Sequence, residues 1–290
     1  MIAQSLLSLV LLITAAVLPS TSTAQELECP QIAGKQSGGT RLNVAVVPQL
    51  PPVELFRRWT PVLKVITERT GLCFSLTVPK TIPEFEALFL RGQPDLVFLN
   101  PYHQVMAFRA QGYLPILADS EPLTGIIVVR NDSPIKTLRD LNGQTMAFPA
   151  PNAFAASLLL RAIITDLQIP FRTQYVQSHS NVYRSVASGT IAAGGGVNNT
   201  LMREPQALRN ELRVLYESPG FRSHPLSAHP RVPSHLRVEI SDVLYKLALN
   251  DEGRSLLNQI QIPNPSAATH NKDYAPLERL GIEKFVVSSD

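Results

Sequence analysis

Four short stretches carry groups that could hold a small molecule. Pro151-Asn152-Ala153-Phe154-Ala155-Ala156-Ser157 opens a long helical pattern, with Asn152 as a good N-cap. The N–H groups that follow a cap have no partner inside the helix. With the helix dipole, they suit an anion without help from any side chain. The plainer reading is an ordinary helix start in which Asn152 caps its own backbone. Phe154 adds an apolar, stacking surface beside those donors, which favours a ligand with an organic part. His179, between Ser178 and Ser180, stands just before another predicted helix. It suits an oxyanion, more tightly as it protonates below about pH 6.5, or else packing at a strand–helix junction. Tyr102 follows a strand end through Asn100-Pro101 and offers one phenolic donor or a core anchor. Gln49-Leu50-Pro51-Pro52 follows the first strand and reads as a cleft wall bearing one amide or as a stiff surface loop.

Other chemistry is poorly represented. No Gly-x-Ser-x-Gly elbow, His-Glu-x-x-His or Gly-x-Gly-x-x-Gly is present. Ser178-His179 adjacency is no triad, because sequence neighbours rarely meet its geometry. His224, His229 and His235 are spaced by five and six and broken by Pro225, Pro230 and Pro233, which reads as a loop rather than a metal site. Gly194-Gly195-Gly196 lacks the Gly-Lys-Ser/Thr of a phosphate loop. It reads as a tight turn, or as backbone that approaches a ligand or hinges. Neither a metal nor a cofactor is expected.

The chain has 290 residues, 17% of them charged, with a formal net charge of +3. That excess is too small for a nucleic-acid-binding face. Residues 1–24 hold no charged side chain. The apolar run Leu6–Leu18 is followed by Pro19 and by Ser22-Thr23-Ala24, a pattern that fits a cleavable signal peptide. The run is too short to span a bilayer as a helix. An exported chain meets an oxidising compartment, and Cys29 and Cys73 are its only thiols. They are expected to form one disulfide, with two unpaired buried thiols as the alternative.

The elements that must position these groups alternate. Strands are expected at Leu42–Val47, Cys73–Val78, Asp95–Leu99, Leu114–Ala118, Gly125–Arg130, Gln144–Phe148, Arg172–Val176, Thr190–Ala193 and Leu212–Tyr216. Helices are expected at Glu54–Thr70, Ile82–Leu90, Tyr102–Gln111, Asn152–Asp166, Ser180–Ser188, Asn198–Ala207 and His235–Leu249, with a shorter one near the end. A Pro/His loop covers Ser218 to Pro233. The pattern predicts an α/β chain of two lobes, with mainly parallel sheets and helices on both faces. Its parts are a signal peptide (1–24), an N-terminal arm (25–40), lobe 1 (41–124), lobe 2 (125–212), and a return to lobe 1 with terminal helices (213–290). Ligands of open α/β sheets lie beyond the carboxyl ends of strands, so the cleft is expected between the lobes.

Several stretches together resemble a known family. They are Val44–Pro48 leading to Arg58-Trp59-Thr60-Pro61, and Asp95-Leu96-Val97-Phe98 with Asn100-Pro101-Tyr102. They continue with Asn131–Ile135, Leu138-Arg139-Asp140-Leu141-Asn142-Gly143, and Ser178-His179 ten residues before Gly189. Over roughly residues 41–235 these are similar to the periplasmic phosphate/phosphite/phosphonate-binding proteins of ABC importers, a group of type II solute-binding proteins. The resemblance implies a non-catalytic, monomeric, two-lobed periplasmic protein that closes over a small anionic ligand and delivers it to a membrane permease. A receptor feeding a sensor kinase is the alternative, and an exported enzyme on the same scaffold is more remote. It also implies an anion at a helix N-terminus in lobe 2, a hydroxyl run on its oxygens, and a Tyr and a His beside it. These map onto Ala153-Phe154-Ala155, Tyr102 and His179. The three hydroxyls are absent, and Ser180 stands where an acidic residue often follows the His. The expected ligand-binding residues are thus Gln49, Tyr102, Asn152, Ala153, Phe154, Ala155, His179 and Ser180, with weak binding of methylphosphonate.

Overall fold

The structure is a computed structural model that describes residues 23–29 and 40–287. The expected signal peptide lies almost wholly outside the described residues, as does most of the N-terminal arm. Thr23 and Ala24, the last two residues of the expected signal peptide, belong to β1 (Thr23–Glu26), which pairs antiparallel with β3 (Cys73–Val78).

Lobe 1 is built first from β2 (Arg41–Val46) and α1 (Pro52–Thr70). Pro52 suits the first turn of α1, where its missing N–H costs nothing. Gly71, at φ 75°, takes the left-handed conformation that closes the helix through its N–H to Thr67 O. Then come β3, α2 (Ile82–Leu90), β4 (Leu96–Phe98), α3 (Pro101–Gln111) and β5 (Leu114–Asp119). The chain crosses to lobe 2 for β6 (Gly125–Arg130), β7 (Thr145–Phe148), α4 (Leu159–Asp166), β8 (Arg172–Tyr175), α5 (His179–Ala187) and β9 (Ala193–Val197). After α6 (Asn198–Met202), α7 (Gln206–Asn210) and β10 (Leu212–Glu217) it returns through β11 (Pro225–Ala228), α8 (Ser234–Leu247), α9 (Asp251–Gln259) and β12 (Pro265–Ser266).

Two sheets result, ordered β1-β3-β2-β4-β11-β5-β12 and β10-β6-β9-β7-β8. The α/β class is as expected, but the sheets are mixed rather than mainly parallel. Parallel pairing joins β2 to β3 and β4, and β7 to β8 and β9. The strands that follow a crossover run the other way. β11 lies antiparallel between β4 and β5, and β6 lies antiparallel between β9 and β10. The expected Pro/His loop therefore contains a central strand of lobe 1. Only four residues long and opened by a proline, it is too short to show a pattern. The lobe boundary also shifts, because β10 belongs to the second sheet and the return starts near Ser218.

Two further expectations change. The helix expected over Asn198–Ala207 is two short helices with Pro205 at the break, since proline cannot continue the first. Gly194-Gly195-Gly196 is neither turn nor hinge but the buried middle of β9. A Cβ on Gly194 would strike Val182, and one on Gly196 the Tyr183 hydroxyl. One on Gly195 would strike the Ala156 carbonyl and lie 2.6 Å from Phe148 Cδ1. The glycines let α5 and the chain before α4 lie directly on the sheet.

Each lobe has its own apolar core. A further cluster joins them below the cleft, with Tyr102, Val105 and Ala118 from lobe 1 packed on Phe154, Ala155, Leu158 and Val197 from lobe 2. The chain end, expected on lobe 1, reaches lobe 2. Arg161 donates to Phe285 O at 2.8 Å, and Asn152 exchanges hydrogen bonds with Val287.

Cys29 and Cys73 are joined, with Cα atoms 5.4 Å apart, tying the segment after β1 to the start of β3. Native, unreduced protein should label no thiols, and reduction should lower stability by about 4 kcal/mol in the chain-entropy picture for a 44-residue separation. Two labelled thiols before reduction would refute the pairing. Gly195→Ala should destabilise by roughly 1–3 kcal/mol in a urea melt, because backbone blocks the added methyl. An unchanged midpoint would show that α4 does not need this close approach.

Candidate functional site

The parallel strands of both lobes end at one place. Beyond β2 lies Gln49, beyond β3 Lys80, and beyond β4 Asn100. Beyond β7 lies Pro149–Asn152, beyond β8 Gln177, and His179 opens α5. Between these ends is a cleft of two adjoining chambers. The first has a volume of about 550 Å³ and walls of Ile82, Pro83, Pro149, Pro151, Phe154 and Val287. The second, about 540 Å³, is walled by Arg58, Arg184, Arg203, Thr200 and Gln261. Gln49, Lys80, Gln177, Ser178 and His179 face both.

The donor set lies at the start of α4. Phe154–Leu158 winds as one wide π-type turn that runs straight into Leu159. Ser157 N and Leu158 N both bond Ala153 O. The N–H groups of Phe154, Ala155 and Ala156 find no acceptor among the described residues. Arg161 braces the loop in front of them by donating to Pro151 O at 2.7 Å. Burial holds its guanidinium below the ordinary arginine value, and it has no acidic partner. Asn152, expected as the cap, does otherwise. Its Nδ2 donates to Glu86 Oε1 and to Val287 O, each at 3.0 Å, and its Oδ1 accepts from Val287 N. Ala153 takes the cap position with no side-chain bond. Asn152 thus borders the first chamber while its amide ties lobe 2 to α2 and the chain end.

His179 is half-buried at the junction of the chambers, and its Nδ1 lies 3.4 Å from Thr200 Oγ1. Loss of water pushes its pKa down to about 4. The ring of the empty protein is therefore neutral near pH 6, and protonation does not start below 6.5 as the sequence suggested. Ser178 caps α5 by accepting from Asn181 N, and Gln177 before it sits at φ 73°, a strained conformation for a non-glycine residue. Ser180 faces only the second chamber and gives its hydroxyl to Glu204. An acid thus stands beside it after all, supplied by the end of α6. Gln49 is a cleft wall, held by Gln261 donating to its Oε1 at 2.6 Å and by its own Nε2 bonding His224 Nε2 at 2.7 Å.

Tyr102 is corrected. It is 4% exposed, lines neither chamber and lies in the apolar cluster between the lobes, with its phenol raised by burial. In the first turn of α3 its neighbour Asn100 holds the cleft position, accepting from His103 N and donating to Asn152 O. The site also contains residues that the sequence did not nominate. His224 stacks on Phe98, and burial pushes its pKa down to about 3. His229 and His235 stay away from it, the first against Tyr113 and the second exposed at the start of α8. Lys80 was discoverable, since Val78-Pro79-Lys80-Thr81 ends a strand. Thr81 caps α2 by accepting from Glu84 N, and Glu84 holds the preceding loop by accepting from Lys80 N at 3.0 Å.

This is the arrangement of a two-lobed binding protein, with lobes joined by crossover chains and strand ends facing one cleft. The chain belongs to the family of periplasmic substrate-binding proteins of phosphonate ABC transporters, whose description matches residues 44–274. Two solved structures share the fold. A binding protein component of an ABC phosphonate transporter from Pseudomonas aeruginosa superimposes with a TM-score of 0.73 and 16% identity, over 84% of this chain and 86% of that one. PhnD1 from Prochlorococcus marinus, in complex with methylphosphonate, gives 0.72 and 15%, over 83% of this chain and 97% of that one. None of the curated protein sequences compared with the chain matches it.

Both cleft imidazoles have a pKa below the ordinary 6.5, so the unfolded chain takes up protons at which the folded chain stays neutral. Their contribution to stability is complete above pH 6.5 and is lost as pH falls towards 4 and then 3, by at most about 1.4 kcal/mol per unit for each ring. The drop in melting temperature from pH 7 to pH 4.5 should be smaller in His224→Gln than in the wild type. Equal drops would show that His224 is not held neutral by the fold.

Proposed function

We propose that this protein captures a small anionic ligand, a phosphonate-, phosphate- or carboxylate-bearing compound, between its lobes and delivers it to the permease of an ABC importer. One observation supports this most. Among the described residues, the cleft presents three unpaired backbone N–H groups at the start of α4 and side chains of Lys80, Arg58, Arg184 and Arg203, and no Asp or Glu lines either chamber. Such donors with the helix dipole favour an anion even without hydroxyl side chains. The family to which the chain belongs and the methylphosphonate complex of a protein with the same fold point the same way. Ala153-Phe154-Ala155 leaves the backbone to do what hydroxyls do elsewhere, so a simple methylphosphonate is the weaker choice here. His179 acts as a neutral hydrogen-bonding wall, and Gln49 as a fixed amide.

The protein works as a single chain in the periplasm, with residues 1–24 as a leader and the Cys29–Cys73 link formed after export. Binding draws the lobes together, because a ligand touching both prefers the closed form. Calorimetry with inorganic phosphate and short alkylphosphonates tests the ligand class. Small-angle scattering with the tightest of them should give a smaller radius of gyration than the empty protein. His179→Ala should weaken that binding by about 1–3 kcal/mol while leaving the unliganded melting temperature nearly unchanged. A lowered melting temperature with affinity intact would make His179 a packing residue.

A further inference from the structure

The second chamber holds more positive charge than one oxyanion at the start of α4 can use. Arg58 comes from α1 and Lys80 from the loop after β3, both in lobe 1. Arg184 comes from α5 and Arg203 from the end of α6, both in lobe 2. Among the described residues, no hydrogen bond or ion pair engages Lys80 Nζ or the guanidinium groups of Arg184 and Arg203. Arg58 shares the single carboxylate of Glu54 with Arg57, at 2.7 and 2.6 Å. Glu204, the nearest acid in sequence, is taken up by Ser180. The guanidinium of Arg203 lies below the ordinary arginine value through loss of water, and secondly through the charge of Arg58 across the cleft. Lys80, Arg184 and Arg203 are open to solvent, and an anion entering the chamber would find like charges from both lobes lining it.

The first chamber differs in kind. Its walls are Phe154, Ile82, Val47, Val197 and prolines, and its anion donors are the backbone N–H groups at one end. The two chambers adjoin, sharing Gln49, Lys80, Gln177, Ser178 and His179 in their linings.

We propose that the ligand is an organic dianion that spans both chambers: one oxyanion head on the backbone N–H groups of Phe154–Ala156, an apolar spacer along Phe154 and Ile82, and a second anionic group among Arg58, Lys80, Arg184 and Arg203. This rests on the binding role proposed above and goes further by fixing two charged ends and an organic middle. The second group bridges cations of both lobes, so it both binds and offsets the repulsion that opposes closure. A guanidinium takes a carboxylate or phosphate through two parallel hydrogen bonds, so either group suits that end.

Matched ligand pairs test this. Unbranched ω-phosphonocarboxylates with two to five methylenes are compared by calorimetry with alkylphosphonates of the same length, which lack only the second charge. At one length or more, the dianion should bind at least tenfold more tightly. Arg203→Gln should abolish most of that advantage, so that on the variant the dianion and the alkylphosphonate of the same length bind within about threefold of each other. Arg203 makes no hydrogen bond, so the unliganded melting temperature should stay level or rise. Equal binding of both members at every length would overturn the second subsite and leave the oxyanion site standing. An advantage that survives Arg203→Gln, and likewise Arg58→Gln, would also overturn it. If neither series binds, and inorganic phosphate and dicarboxylates of the same lengths fail as well, both readings fall.

Discussion

Two backbone contacts control this site. The carbonyls of Ala155 and Ala156 lie against Gly125 and Gly195, where an added Cβ would collide with them. Only a glycine at each position lets the start of α4 press onto β6 and β9. The wide turn at Phe154–Leu158 sits at that contact, and like the first N–H groups of any helix those of Phe154, Ala155 and Ala156 have no acceptor among the described residues. Residues 153, 155 and 156 are alanines, and Phe154 is 2% exposed, edge-on to Phe221.

Around that turn, electrostatics and hydrogen bonding divide the work. Two side-chain amides at the cleft are held by protein: Asn152 by Glu86 and Val287, Asn100 by the N-terminus of α3. They fix the loops. The groups left open are cations and neutral donors. His179 and His224 are kept neutral by loss of water, so the fixed positive charge comes from arginine and lysine, which do not titrate near neutrality. A site charged this way keeps its attraction for an anion across the pH range in which histidines would switch.

Much of this was legible in sequence wherever periodicity was long. The 19 residues of α1 carried their own apolar stripe and a glycine stop, and Cys73–Val78 was read to the residue. What failed was short or depended on packing. β11 is a central strand of four residues with a leading proline, and β9 is a strand made of glycines. Both carry local signals for loops, and only neighbouring strands and helices make them strands. In the site, strand-end position led to Gln49, and predicted helix starts led to Phe154 and His179, all of which line the cleft. It failed at Tyr102 because a strand end fixes where a residue begins, not which way its side chain points. At the first turn of α3, Asn100 faces the cleft and Tyr102 faces the core between the lobes. Arg203 could not be found at all, since its role depends on Arg58, 145 positions earlier, lying across the cleft.

The connections between the lobes decide how binding becomes movement. Two crossover chains meet at the Leu123–Phe221 bridge, and the terminal segment adds a third link from Phe285 and Val287 to Arg161 and Asn152. The apolar cluster of Tyr102, Phe154 and Val197 lies below these links and holds the lobes in contact at that edge. Lobe motion about these links would change the distance between Arg58 and Lys80 on one side of the second chamber and Arg184 and Arg203 on the other. Across that chamber, contact between the lobes is opposed by like charge when the cleft is empty and favoured once an anion lies between them. A ligand shifts a conformational equilibrium only by its difference in affinity for the two states. Placing the repulsion there puts most of that difference on the charge of the ligand, and the apolar edge is left to keep the two halves in register.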